Sequence, residues 1–279
     1  MIFLEIAIVC SKKDAASNNM HSIFLKDFPF RESNKLFDSN KVFELKTNEN
    51  LFKLYLLNEL HIFSEKANEI NADLIVFASR HSGKKPCLTV HAIGNYGKAE
   101  FGGRDKTLVK TNSRIIKSYI QQLSKLQKER AELKDYLVSL ETTHHGPWLA
   151  KPALFIEVGC EEKNWNDLNA CRAVCETIIN ASKEKGSEVA IGFGDLHYPH
   201  YFTKIALETS IALSHMCPKH AVDLFDENLF QQMHSSDENK IDFALIDWKS
   251  LSKSQRDKII GFCEKEKLPF KKAKDVLVM

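Results

Sequence analysis

Short apolar runs, four to eight residues long and rich in β-branched and aromatic side chains, punctuate the whole chain. They lie at Ile2 to Val9, Lys41 to Leu45, Leu74 to Ala78, Leu88 to His91, Ala153 to Val158, Val189 to Phe193 and Phe243 to Ile246. Their length and composition favour strands over helices. Phe52 to Leu57 and Leu60 to Phe63 flank Asn58-Glu59 and read as a hairpin, although the same stretch tolerates a helical reading. Four segments carry helical spacing. One is capped at Asn112 or Ser113 and extends to Leu140; others cover Asn166 to Ala181, Tyr201 to Met216 (apolar nearly all round) and Ser252 to Lys265. Alternation of the two element types predicts an α/β three-layer sandwich, a mixed sheet covered by helices on both faces. No repeat or Pro-rich linker interrupts it, so one domain over residues 1–279 is expected.

Composition narrows the partners rather than the fold. Hydrophobic content of 43% and charged content of 27% are ordinary for a globular chain, and a net charge of +2 does not by itself argue for nucleic acid. No apolar run approaches the roughly 20 residues that span a bilayer. The N-terminus, with Glu5 inside its apolar stretch, reads as a first strand and not a signal peptide. Seven scattered cysteines without a Cys-x-x-Cys suit a reducing cytosol, and a cytoplasmic protein without membrane contact is expected. From Arg104 to Asp135, however, nine basic residues face four acids. Such a run is either a solvated helix face or a surface for a phosphate backbone.

Candidate chemistry concentrates in three blocks that adjoin predicted strands. The first runs Ser79-Arg80-His81-Ser82-Gly83 and on to His91-Ala92-Ile93-Gly94-Asn95. The second is Thr142-Thr143-His144-His145-Gly146-Pro147, and the third is Gly192-Phe193-Gly194-Asp195-Leu196-His197-Tyr198. Neutral imidazole is the commonest metal ligand and titrates near neutrality. Adjacent histidines on an extended chain point opposite ways, so one of His144 and His145 is expected to react or ligate and the other to support. Glu157 lies inside the apolar run Leu154 to Val158, where a carboxylate needs a cation, a metal or hydrogen-bond donors. Each histidine alone is an unremarkable structural residue; together with Glu157 they indicate one shared polar or metal site. No spacing matches a zinc signature, a P-loop or a dinucleotide fingerprint. His21, His61, His215, His220 and His234 are expected to be bystanders.

In their order along the chain, Ser-Arg-His-Ser, Leu-Thr-Val-His-Ala-Ile-Gly-Asn, Thr-His-His-Gly-Pro, Phe-Ile-Glu-Val-Gly and Gly-Phe-Gly-x-x-His-Tyr resemble the D-aminoacyl-tRNA deacylase family of archaeal and plant type. The resemblance covers essentially the whole chain. It implies a fold similar to peptidyl-tRNA hydrolases and nucleoside phosphorylases, and a zinc-dependent hydrolase that frees a D-amino acid from tRNA. Two positions depart from the pattern: Asp195 stands where a second glycine is expected, and Cys160 where serine is. Asp195 is expected to orient His197 or to change the charge of the site.

The roles assigned on this basis are expectations. Zinc is held by some of His81, His144, Glu157 and His197; His91 or His145 carries the proton to the leaving hydroxyl, with Asn95 as a further catalytic residue. Backbone N–H groups at Gly94 to Gly97 or Gly192 to Gly194 hold the oxyanion. Ser79, Arg80, Lys84, Lys85 and Tyr198 bind the substrate end. Arg104, Lys106, Lys110, Arg114 and Lys117 receive the tRNA acceptor stem, and the protein acts as a monomer. Two rival readings remain: a metal-free esterase like peptidyl-tRNA hydrolase, and a non-catalytic tRNA- or nucleoside-binding module.

Overall fold

A computed structural model describes residues 4–277, so Ile2 and Phe3 of the first expected strand lie outside the described residues. In chain order the first half contains β1 (Leu4–Ser11), α1 (Ala15–Asp27), β2 (Arg31–Phe37), β3 (Asn40–Lys46), β4 (Asn50–Leu57), β5 (Leu74–Ser82), β6 (Cys87–Ala92), β7 (Gly94–Asn95), β8 (Thr107–Leu108), α2 (Ser113–Glu129) and β9 (Leu137–Leu140). The second half contains β10 (Ala153–Cys160), α3 (Glu162–Trp165), α4 (Leu168–Ala181), β11 (Glu188–Phe193), α5 (His200–Glu208), β12 (Ile211–Cys217), α6 (Glu227–Ser235), β13 (Phe243–Ile246), α7 (Lys253–Lys265) and β14 (Phe270–Lys272).

A mixed eight-stranded sheet, ordered β2-β3-β4-β1-β5-β10-β6-β9, forms the centre and is flanked by helices. Its middle strands β1, β5 and β10 run parallel, whereas β6 lies antiparallel to β10. The period-two alternation of a strand sorts their side chains cleanly. Leu74, Val76 and Ala78 of β5, Leu154, Ile156 and Val158 of β10, and Leu88, Val90 and Ala92 of β6 face one core with residues of α1, α2 and α4. The opposite face carries Ile75, Phe77, Ala153 and Phe155 under the 3-10 turn Glu65–Glu69 and the chain near Leu149. Beyond Phe77 and Phe155 that same face turns polar.

Strands β11 to β14 form a parallel sheet of their own, ordered β12-β11-β13-β14, and β7 pairs with β8 in an antiparallel ribbon; the single expected sheet anticipated neither. Ala190, Leu213, Phe243 and Leu245 of the parallel sheet share one apolar cluster with Ile6, Val76 and Leu154 of the large sheet. No helix among the described residues is long and apolar enough to cross a membrane.

Helix ends account for most differences from the sequence reading. The helix expected to reach Leu140 stops at Glu129, and Leu137 to Leu140 pair instead with β6 at the sheet edge. The helix expected over Tyr201 to Met216 is α5 followed by β12. Its second half is apolar all round because every residue of β12 is buried, which a hydropathy pattern cannot distinguish from a buried helix. Leu60 to Phe63 closes as a 3-10 turn, so no hairpin forms; β4 pairs with β1 and β3. Helix α1 was not expected. Its buried stripe Ala16, Met20, Ile23 and Phe24 is diluted by five intervening polar residues, and Asp14 caps it through the Ser17 N–H. Helix α7 begins with a reciprocal Ser252–Gln255 capping box where its start was expected.

Candidate active site

Three adjacent strands set the floor of the site. In the register of β10, Glu157 stands opposite Ser79 of β5 and Thr89 of β6, while His81 and His91 sit two residues along on their own strands. All three functional side chains therefore share the face opposite α1, α2 and α4. Gly159, across from His81, keeps room for the imidazole: a Cβ there would lie 2.9 Å from His81 Cβ and 2.8 Å from Cys87 Sγ. Gly159→Ala is expected to cost about 1–3 kcal/mol of stability by overpacking and to displace His81. Urea unfolding together with an activity assay checks both.

Two loops complete the wall. The chain leaving β9 carries Glu141, His144 and His145; the chain leaving β11 carries His197 and Tyr198. The Thr142 N–H donates to His197 C=O at 3.0 Å, which ties the two loops together. Thr143 is pinned from behind, its hydroxyl 3.1 Å from His215 Nδ1 on β12. His144 and His145 both turn toward His91, with ring centroids 4.2 and 4.9 Å away. The premise that the two point opposite ways does not hold, because His145 has φ of +43° and the chain is not extended there.

Glu141, which sequence reasoning missed, lies at the centre. Its carboxylate is fully buried, with Oε1 3.2 Å from His81 Nδ1 and Oε2 2.8 Å from His197 Nε2 and 3.5 Å from His144 Nε2. Despite this proximity no N–H is aimed at either oxygen, so both are without a hydrogen bond, as is His91 Nε2. Glu157 Oε2 lies 3.2 Å from His81 Nδ1 and 3.7 Å from His91 Nε2. Burial opposes ionisation of both acids, but the surrounding imidazoles prevail: Glu141 is held at about 2, through His197, His144 and His81, and Glu157 is also lowered, through His81 and His91. His81 and His91 are raised despite burial because Glu157 and Glu141 face them. His145 falls to about 4 and His144 is lowered further, through burial and neighbouring imidazoles.

Tautomers follow from fixed acceptors. Nδ1 of His91, His144 and His145 lies 3.0, 2.8 and 2.7 Å from the carbonyl oxygens of Ala92, Thr142 and Gly146. A carbonyl only accepts, so each Nδ1 carries the proton and each Nε2 lone pair is free. Metal-ligating histidines are oriented by this same kind of outer hydrogen bond. Two buried carboxylates without a strong cation, unpaired carboxylate oxygens and convergent imidazole lone pairs fit the nitrogen and oxygen donors that zinc takes. Donor atoms of His81, Glu141 and His197 lie within 4.8 Å of one another, as do those of His91, His144 and His145, and of His91, Glu141 and Glu157.

His81, His144, His145, Glu157 and His197 line a cavity of about 420 Å³ together with Asp14, Ser79, Arg80 and Phe101, and Glu141 and His91 lie buried directly behind them. Ser79 donates to Asp14 Oδ2 at 3.1 Å, Arg80 packs over Trp165, and Tyr198 Oη is 2.5 Å from His81 Nε2. Lys84 and Lys85 are exposed in the turn between β5 and β6. His61, expected to be a bystander, lines the cavity as well.

Other expectations are corrected. The Asn95 amide donates to Gly102 C=O at 2.9 Å and supports the loop behind His145, not the reacting centre. The Gly94 N–H donates to His145 C=O and the Gly194 N–H to Cys217 C=O, so neither is free for an oxyanion. Asp195, at φ of +63°, accepts from the Leu196 and Tyr201 N–H groups; its carboxylate shapes the turn into α5 and does not orient His197. Lys117 is buried and cannot meet tRNA: its ammonium donates to the carbonyls of Ala206, Thr209 and Ile211. Around it the basic stretch is largely neutralised, Arg104 by Glu65, Lys106 by Asp226, Lys110 by Glu238 and Arg114 by Glu184.

The sequence model of the family described as D-aminoacyl-tRNA deacylase matches residues 68–271. The D-aminoacyl-tRNA deacylase of Pyrococcus furiosus is 37% identical over 253 residues, covering 87% of this chain and 90% of that protein. The enzyme of the same name from Methanosarcina mazei is 35% identical over 271 residues, covering 94% and 90%. A crystal structure of a conserved protein of unknown function superposes with a TM-score of 0.86 at 27% identity, covering 98% of this chain and 96% of that one. The order of the histidine blocks, the single cavity face on which they meet and these matches agree: the chain belongs to the D-aminoacyl-tRNA deacylase family.

Proposed function

We propose that this protein hydrolyses the ester between a D-amino acid and the terminal ribose of tRNA, and that it does so with zinc. The observation that carries the metal reading is Glu141, a buried carboxylate ringed by three imidazoles with both oxygens unpaired. His81, Glu141 and His197 would hold the ion, and His91, His144 and His145 form a second group of converging nitrogen donors. Zinc bound there supplies Lewis acidity toward the ester carbonyl and makes water acidic near neutral pH.

The protein's own groups do the rest. Glu157 stays ionised between His81 and His91 and stabilises the positive charge that His91 acquires when Nε2 takes a proton. His91 Nε2 carries a lone pair because Nδ1–H is committed to Ala92 C=O, so it takes a proton from water and returns it to the departing ribose oxygen. Tyr198 Oη, beside His81, is placed to donate to a substrate oxygen.

Matched D- and L-tyrosyl-tRNA, with and without a chelator, test this reading. The D-ester is cleaved selectively, chelation stops the reaction and added zinc restores it. Equal cleavage of both enantiomers would reject the proofreading role. Activity that survives chelation at less than about half an equivalent of bound metal would remove zinc and favour the metal-free esterase. Tight tRNA binding without turnover of either ester would leave only a binding module.

A further inference from the structure

An exposed aromatic lip borders the cavity on the side of His145. Phe101 lines the cavity and is 63% exposed; Phe63 beside it is 56% exposed. The turn that carries Phe101 is rigid. Phe101 C=O accepts the Gly146 N–H at 3.1 Å, and Gly102 C=O accepts from the Asn95 amide at 2.9 Å. Gly102 and Gly103 have φ of +77° and +80°, and a Cβ on Gly102 would sit 1.7 Å from Ile62 C=O, so only glycine permits this approach. A backbone fastened this firmly holds a large apolar ring in water beside the reacting groups. Nothing in packing accounts for that placement, since burying the ring would stabilise the fold.

The next residues add a second stacking surface. Arg104, while paired with Glu65, places its guanidinium carbon 3.4 Å from the Trp148 ring centroid and keeps half of its side chain exposed, so its part here is stacking and not net charge. Aromatic faces interleaved with a planar cation recognise unpaired nucleic-acid bases, because every base offers a π-face. We propose that Phe101, with Phe63 and the Arg104–Trp148 stack, forms the platform on which the unpaired terminal bases of tRNA stack, aiming the acylated ribose at His145 and Glu141. This rests on the hydrolase reading above and names the surface that positions its substrate.

Phe101→Ala tests it; the residue is exposed, so the fold is not at stake. KM for D-tyrosyl-tRNA is expected to rise at least about tenfold with kcat nearly unchanged. D-Alanyl-tRNA must suffer equally, Phe101→Trp must restore KM, and Phe101→Leu must not. An unchanged KM overturns the proposal. So does a loss confined to the D-tyrosyl ester, because the ring would then meet the amino acid, and so does rescue by leucine, which would signify packing alone. Fluorescence anisotropy with deacylated tRNA gives a readout independent of catalysis. Trimming the terminal unpaired nucleotides is expected to weaken binding to the wild-type protein and to weaken binding to Phe101→Ala by clearly less. If the wild-type protein binds intact and trimmed tRNA alike, the platform is refuted whether or not the ester is cleaved. If the trimming effect stands and no D-ester is hydrolysed, only the hydrolase reading fails.

Discussion

Glu141→Gln is expected to reduce kcat/KM for D-tyrosyl-tRNA by at least about 10³-fold and, on the proposed zinc reading, to lower zinc affinity by more than the 10–100-fold typical of outer-sphere partners. The substitution keeps size and shape, so the loss reports chemistry and not collapse. Among the described residues Glu141 is the only acid within reach of His81, His144 and His197 together, and without it their nitrogens lose the charge that gathers them. Stability discriminates further. In the chelated protein His197, His144 and His81 stabilise the Glu141 carboxylate by more than burial and Glu157 oppose it, and glutamine forfeits that attraction. The chelated variant is therefore expected to melt below chelated wild type, and the rise in Tm expected when zinc binds wild type to shrink or disappear. Metal analysis and paired melting curves check the result. A variant that keeps full zinc content and full activity would remove Glu141 from the site.

Lys117→Met has the opposite signature: a large stability loss with activity per folded molecule intact. Lys117 Nζ bonds to Ala206, Thr209 and Ile211 carbonyls at 2.6, 2.6 and 3.1 Å, joining α2 to the end of α5 and the start of β12. Methionine preserves the apolar stem and deletes the three donors, which strands buried acceptors at about 1–3 kcal/mol each, partly recovered by relaxation. A net loss of about 3 kcal/mol is expected in urea unfolding, with tRNA affinity unchanged because the side chain never reaches the surface. Weakened tRNA binding without a change in stability would restore Lys117 to an RNA-binding role.

The site was partly legible because strand periodicity is a local property. His81, His91 and Glu157 lie in or at the ends of apolar runs, and the alternation of side chains decides which face each takes. Glu141 escaped notice for an equally local reason. Leu133, Tyr136, Leu137 and Leu140 mimic helical spacing, so nothing marked the acid after them as standing at a strand exit, although it lies only three residues before His144. Recognising Leu137 to Leu140 as a strand would have placed Glu141 beside a histidine block at a strand exit. Charge counting misjudged the Arg104 to Asp135 stretch because it cannot see acids that arrive from Glu65, Asp226, Glu238 or Glu184.

Residue order alone determined that the chain builds strands and helices in alternation, which strand residues share a face, and that imidazoles and one acid cluster at strand ends. Tertiary structure decided that β10 lies between β5 and β6, that the exits of β9 and β11 are fastened by the Thr142–His197 bond, and that Glu141 ends up enclosed by three rings. The physical reason is one of range. Side-chain direction follows from backbone geometry over two to four residues, whereas strand order and the closure of distant loops depend on packing between segments that local pattern does not relate.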